Sequence, residues 1–124
     1  MTIEGHNRGE KAIEKLRELD MQVQKLAFTD VNKTKVLLLE MRGLLAKNPN
    51  PDIQFSYESN RGFIENQLYN YRRSIISFQE ALKILEDHGD IQQRTATLID
   101  LSATLVILKT MIWQMKCWRK PENY

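Results

Sequence analysis

The sequence predicts an all-α protein of about five helices arranged as antiparallel pairs. Apolar residues recur at intervals of three and four along most of the chain, which is the period of an amphipathic helix. Turn-forming residues divide the chain at Asn48–Pro51, Tyr69-Asn70 and Gly89-Asp90. No strand pattern is visible, since β-branched residues are scattered and no Asn-Gly or Asp-Gly turn joins two alternating runs.

The first two helices are predicted over about residues 8–27 and 31–46. The inward face of the first comprises Ala12, Ile13, Leu16, Leu19, Val23 and Leu26, and that of the second comprises Val31, Val36, Leu37, Leu38, Met41, Leu44 and Leu45. Thr29-Asp30 can cap the second helix, and the prolines Pro49 and Pro51 end it. These two segments form the first predicted helix pair.

The third and fourth helices are predicted over about residues 51–68 and 71–87. Asn50 is a suitable cap for the third, and Pro51 suits its first position because the missing N–H would have no helical partner there. Gly89 can end the fourth helix in the left-handed conformation that glycine adopts readily.

The last apolar pattern begins after Asp90, which can cap a helix, and continues towards Arg119, with Pro121 beyond it. We expect one long helix, because neither Lys109 nor Thr110 requires a break. Polar residues interrupt the stretch from Leu101 to Trp118, so we expect a buried helix of a soluble protein and no membrane span.

The composition fits one domain in a reducing compartment. The chain has 124 residues and a formal net charge of +2, which gives no strong field for attracting nucleic acid or an anionic membrane. Its N-terminus becomes charged within a few residues, unlike a secretory signal. The single cysteine, Cys117, has apolar neighbours that predict a buried thiol. We therefore expect a cytoplasmic protein.

Residues 62–82 place small and aromatic side chains where two closely crossed helices require them. Gly62 would let the two backbones approach closely. The following helix carries Tyr71, Ser74, Phe78 and Ala81 as one stripe at helical spacing. This arrangement resembles the tetratricopeptide repeat (TPR) family, in which a small residue on the first helix accompanies an aromatic, small, aromatic and Ala-Leu pattern on the second.

Two further segments echo the same pattern. Leu44-Leu45 corresponds to Ala81-Leu82 about 37 residues earlier, and Ser102 corresponds to Gly62 about 40 residues later. The resemblance implies repeat-like units at residues 8–50, 51–88 and 89–120 within a single domain, residues 1–124. It implies a short right-handed TPR-like solenoid, with divergent repeats like those of bacterial signalling and regulatory proteins. A helical bundle is the alternative fold.

The family's first helices line a concave surface that binds a peptide or helix of a partner protein. Carried over by offset, the partner-binding groove would comprise Ser59, Asn60, Phe63, Asn66 and Gln67 of the middle pair, with Gln22, Leu26, Ile99 and Ala103 of its neighbours. The resemblance therefore implies a protein–protein interaction module. We expect no catalytic residue, no cofactor and no metal, because the carboxylates are mixed evenly with basic residues and the glycines are single.

The last predicted helix lacks the polar outer face with which repeat arrays end. Burying a large apolar side chain contributes about 1.5–3 kcal/mol, so we expect this helix to be covered. The predicted interface residues are Leu105, Leu108, Ile112, Trp113 and Met115. The occupant would be a second copy of the chain, giving a homodimer, or a domain that follows it.

Two other functions stay open at this stage. Phosphatases of aspartyl-phosphate built on related repeats suggest a regulatory enzyme acting on a response regulator, with Gln22 or Gln24 positioning a water. A basic and aromatic C-terminal segment could also stack on bases and contact phosphates. That segment comprises Lys109, Trp113, Lys116, Trp118, Arg119 and Lys120. We favour packing over nucleic-acid binding, because Trp113 lies on the same apolar stripe as Leu105, Ile112 and Met115.

Overall fold

The computed structural model describes residues 2–119, with the side chains of residues 9–117. Its five α-helices are α1 (Thr2–Leu26), α2 (Val31–Lys47), α3 (Pro51–Gln67), α4 (Tyr71–His88) and α5 (Ile91–Arg119). The described residues contain no strand. The predicted all-α class and helix number are therefore confirmed, although α1 begins earlier than the sequence indicated.

Three short polar side chains begin helices as predicted. Asp30 Oδ1 accepts a hydrogen bond from the Lys33 amide at 3.0 Å, and Asn50 Oδ1 accepts one from the Ile53 amide at 3.1 Å. Asp90 Oδ1 accepts from the Gln93 amide at 2.7 Å. Each bond satisfies an amide that the first turn of a helix leaves without a partner.

The turn between α3 and α4 is closed by a residue in the left-handed region. Tyr69 has φ 64°, and its amide donates to the Asn66 carbonyl at 3.0 Å. The Asn70 amide donates to the Glu65 carbonyl at 2.8 Å. This pair of bonds is the Schellman ending, in which glycine is the usual residue at the left-handed position. In this protein a tyrosine adopts the strained left-handed backbone conformation instead.

The prediction that Gly89 ends α4 in the left-handed conformation is wrong. Gly89 has φ −105° and ψ 165°, which is extended backbone that other residues adopt. A steric constraint explains why glycine occupies this position, because a Cβ there would lie 2.3 Å from Leu85 Cδ2. The chain thus passes directly against the last turn of α4.

The hydrophobic core lies where α1, α2 and α3 meet. It includes Leu16, Leu19, Val23, Leu38, Met41, Leu45, Ile53, Tyr57 and Ile64. Val36, predicted to point inward, is 64% exposed, because the buried stripe of α2 runs through Thr34 and Leu38. Thr34 tolerates burial because its hydroxyl donates to the Asp30 carbonyl at 2.8 Å.

The α3–α4 pair is joined at the small residues that the sequence singled out. Gly62 and Ala81 are both buried. Ser74 Oγ donates to the Gly62 carbonyl at 2.7 Å, and the ring of Phe78 covers the glycine. Small residues permit this approach of two helix backbones, and the aromatic ring fills the remaining space.

The other described helices do not bury α5, which we expected to be covered by a second copy or a following domain. The helix packs on α4 along one side only, where Thr97 and Thr104 are buried. Their hydroxyls donate to carbonyls of α5 itself, at Gln93 and Asp100. Most of its large apolar side chains are exposed, and so is Cys117, which was expected to be a buried thiol. No other described helix covers the outer side of α5.

The apolar stretch of α5 is also longer than the sequence interpretation allowed. Residues Ile91–Cys117 are long and apolar enough to cross a membrane by length and composition, and only 11% of the most apolar part is buried. The core helix of a soluble protein can have the same length and apolar composition, but such a helix is mostly buried. The expectation that polar interruptions exclude such a stretch is therefore too strict.

Candidate partner-binding groove

Two side-chain hydrogen bonds connect α3 to the helices on either side of it. Ser56 Oγ donates to Asp20 Oδ1 of α1. Asn66 Nδ2 donates to Thr104 Oγ1 of α5 at 3.4 Å, which is a long bond. These bonds place α1 and α5 beside α3, although of the two only α1 also packs closely on α3. We call the surface that these three helices form the α1–α3–α5 surface.

The predicted groove residues of α3 differ in how available they are. Asn60 Nδ2 donates to the Ser56 carbonyl at 2.9 Å, so this part of its amide is engaged within α3. Ser59 Oγ is buried and has no hydrogen-bond partner. Gln67 is exposed, and its amide is free to meet a ligand. The middle of the groove thus offers both donors and acceptors.

Phe63 contacts an aromatic residue that the sequence analysis did not include. Its ring centroid lies 4.7 Å from that of Phe28, with the planes tilted by 58°. Phe28 follows α1 and is mostly exposed, whereas Phe63 is half-buried. An aromatic residue in the turn after an amphipathic helix was the available signal for this site. The pair forms an apolar contact area beside the polar groups of α3.

The outer groove residues come from α1 and α5. Gln22 and Leu26 are half-buried on α1, whereas Ala103 and Ile99 of α5 are exposed. Ile99 is 62% exposed, so it is an accessible apolar contact for a ligand. The structure brings α3 into direct contact with Asp20 and Thr104, and neither residue was among those that the sequence indicated.

Two carboxylates lie beside these contacts. Asp20 accepts from Ser56, and its other oxygen accepts from Gln24 Nε2 at 3.3 Å. Gln24, one of the two glutamines in the phosphatase hypothesis, is therefore held by a neighbouring side chain. On α5, burial raises the pKa of Asp100 above its ordinary value. Among the described residues no group of three or more His, Cys, Asp or Glu could hold a metal ion.

The predicted interface residues of α5 face two directions. Leu105, Ile112, Trp113 and Met115 are exposed. Leu108 is half-buried and lines a cavity together with Tyr69 and Tyr71, so it belongs to the contact with α4. Lys109 and Lys116 of the nucleic-acid hypothesis are exposed. The side chains of Trp118 and Arg119, and Lys120 entirely, lie outside the described residues.

A comparison of the chain with family models, with curated proteins and with solved structures found no match. A function for this protein therefore has to be argued from its own residues and contacts.

Proposed function

We propose that this protein is a TPR-like protein–protein interaction module whose α1–α3–α5 surface binds a peptide or helix of a partner protein. The supporting observation is the pair of contacts Ser56–Asp20 and Asn66–Thr104, which link alternate helices of the chain across α3. Alternate helices side by side are the arrangement from which a repeat array forms its binding surface. We further propose that the module acts in a cytoplasmic signalling or regulatory protein.

The order of helix contacts favours a short solenoid over a closed bundle. Each helix packs on the next along the chain, and α1 also packs on α3. Within residues 2–119, no comparable contact joins α5 to α1 or α2, as a closed bundle would require. The close α3–α4 interface at Gly62 and Phe78 supports the same interpretation, because it uses the residues that carry the family resemblance.

A ligand on this surface would be held by two kinds of contact. The Phe28–Phe63 pair and Ile99 offer apolar area, which contributes about 25 cal/mol per Å² removed from water. Gln67 is exposed, so its amide offers hydrogen bonds to the ligand backbone. Buried anchors surrounded by satisfied polar groups are the usual basis of such recognition.

The experiment is selection of binding peptides from a displayed random library, followed by affinity measurements on variants. Ile99→Glu and Gln67→Glu change exposed groove residues, so we expect folded proteins whose affinity falls at least about tenfold. Val36→Glu is the matched control, since Val36 is as exposed as Ile99 but lies on α2, outside the α1–α3–α5 surface. Phe63→Glu is a poorer test, because it also disrupts the contact with Phe28.

Equal loss of affinity in Val36→Glu and Ile99→Glu would contradict the proposal, and so would peptides that shift amide resonances only outside α1, α3 and α5. A selection that yields no saturable binder would also count against it.

The outer side of α5 is a second surface for which we propose an occupant. Ser102 corresponds by offset to Gly62, the residue of α3 that α4 covers. Leu98 and Leu105 flank Ser102 and are 45% and 46% exposed. We propose that this side receives a helix from a second copy of the chain, or from a following domain, in the way that α3 receives α4.

A further inference from the structure

A basic cleft lies between α2, α3 and α4, on a different side of α3 from the groove. It has a volume of about 260 Å³. Four cationic side chains from three helices line it, namely Lys35, Arg42, Arg61 and Arg73, together with Tyr57 and Glu65. The chain as a whole is close to neutral, so this concentration of positive charge is local.

Most of this positive charge has no ion-pair partner among the described side chains, although Arg42 lies near enough to Glu58 to oppose the rise in the pKa of that carboxyl. Arg61 lies 3.9 Å from a carboxylate oxygen of Glu58, which is a long ion pair. Among the described residues, Lys35, Arg42 and Arg73 have no carboxylate within ion-pair distance. Like charges held around one cleft repel each other, and an incoming anion removes that cost. The electrostatics of the cleft therefore favour a negatively charged ligand.

The cleft also contains an unsatisfied acceptor. Glu65 is only 7% exposed, and its Oε2 atom is buried without a hydrogen-bond partner. A buried carboxylate oxygen without a donor is costly. Tyr57 is also buried, and burial raises its pKa, so its hydroxyl keeps the proton and can donate. A complementary ligand needs donors for Glu65 as well as negative groups for the arginines.

These features favour a peptide over a simple anion. Inorganic phosphate brings negative charge but little hydrogen-bond donation, so it would leave the buried Glu65 oxygen without a donor. A volume of about 260 Å³ is at the small end of sites that enclose a whole small molecule, but it admits side chains of a docked chain. Leu38 and Ile64 add apolar lining. A peptide supplies carboxylates, backbone N–H donors and an apolar side chain together.

We propose that this cleft binds an acidic peptide segment of a partner protein, with its carboxylates on Arg42, Arg61 and Arg73 and a donor directed at Glu65. This is a second recognition site, separate from the α1–α3–α5 surface, and it does not depend on the function proposed for that surface.

The test is calorimetric titration at low ionic strength with a blocked peptide of four glutamates around one leucine. A peptide with glutamines in their place and inorganic phosphate are the comparison ligands. The variant is Arg42→Gln/Arg73→Gln, which removes two unpaired cations from the cleft. The matched control is Lys33→Gln/Arg72→Gln, which removes the same charge from the same two helices outside this cleft.

We expect saturable binding of the acidic peptide that weakens at least about tenfold in the cleft variant and less than about twofold in the control. Equal weakening in both variants would show that affinity depends on the net charge of the protein and not on the cleft, and it would overturn the proposal. Binding of the glutamine peptide with the same affinity would overturn it too. Phosphate binding as tightly as the acidic peptide, or no measurable binding, would also be incompatible with a built peptide site.

Discussion

The ring of Phe78 lies against Gly62 so closely that a Cβ on residue 62 would be 2.7 Å from Phe78 Cε1. Real Cβ atoms do not approach other carbons to this distance, so an added methyl group would push the ring or α4 away. α4 can therefore pack this closely on α3 only because the residue at position 62 has no side chain.

Gly62→Ala should lower the free energy of unfolding by about 1–3 kcal/mol, because overpacking of the α3–α4 interface exceeds the gain in helix propensity. Urea unfolding followed by circular dichroism measures it. Gly43→Ala is the matched control, since nothing lies within 4 Å of a Cβ there, and it should stabilise α2 by about 0.5–1 kcal/mol. A Gly62→Ala protein as stable as Gly43→Ala would disprove the close contact.

Tyr69→Gly should stabilise the protein by about 0.5–1 kcal/mol. The tyrosine has φ 64°, which strains any residue with a side chain, and glycine relieves this strain at the Schellman position. The gain in stability is limited, because the substitution also removes the contact between the rings of Tyr69 and Tyr71, whose centroids lie 6.3 Å apart. The midpoint of thermal unfolding measures the effect.

Tyr69→Ala provides the control for this prediction. Alanine loses the same ring contact but keeps the strained φ, so it should be no more stable than the natural protein. If alanine and glycine at residue 69 gave equal stability, backbone strain would not be the cause.

Glu58→Gln should make the protein more stable at neutral pH, by about 1 kcal/mol. Burial raises the pKa of the Glu58 carboxyl above its ordinary 4.5, and Arg61 only partly opposes this. The folded state thus holds the proton more tightly than the unfolded state, so stability falls as pH rises from 4.5 through the raised pKa. Glutamine does not ionise in this range, so the variant does not lose this part of its stability as the pH rises.

The measurement is the difference in unfolding free energy between Glu58→Gln and the natural protein across acidic to neutral pH. It should be smallest well below pH 4.5, where the carboxyl is protonated in both states, and should grow with pH. Glu40→Gln, at an exposed position of α2, is the control for the loss of one carboxylate. A Glu58→Gln difference that stays flat with pH would contradict the assignment.

Leu98→Lys/Leu105→Lys should convert an assembled form of this chain to monomer. Both leucines are about half exposed on the outer side of α5, and a charge there opposes burial against a second copy. Light scattering after size exclusion measures the mass. Val36→Lys is the control, because this exposed valine lies on α2 and its replacement should leave assembly unchanged.

A natural protein that is monomeric and binds no apolar dye would contradict this assembly. Vesicle flotation gives the other informative outcome. Since Ile91–Cys117 is long and apolar enough to cross a membrane, flotation with lipid that the double lysine variant abolishes would assign the face to a bilayer and overturn the second copy.

The N-terminal helix caps and the close α3–α4 contact could be predicted from the sequence. Each depends on neighbouring residues or on a residue type that has a specific structural use. A cap such as Asp30 or Asn50 acts on an amide three residues away, so its role follows from neighbouring residues alone. Gly62 and Ala81 are small residues on patterned helix faces, where they permit two helices to approach closely. The predicted N-terminal caps and the α3–α4 contact therefore agree with the structure.

Features that join distant segments could not be predicted in this way. Phe28 and Phe63 are far apart in sequence, and their contact depends on how α1 and α3 are placed. The cations of the basic cleft come from three helices, each of which looks like an ordinary solvated surface by itself. Gly89 was predicted from its usual backbone role, but the side chain of Leu85 decides its identity.

The sequence by itself determined five helices, most of their caps and the pair of small residues that bring α3 and α4 together. Only the tertiary structure decided which residues of α5 are covered and which groups converge on the groove and the basic cleft. The reason is that α5 is apolar on several sides, so its composition does not mark one buried face. Burial is a property of the neighbours that are present, and α4 covers only the side that carries Thr97 and Thr104.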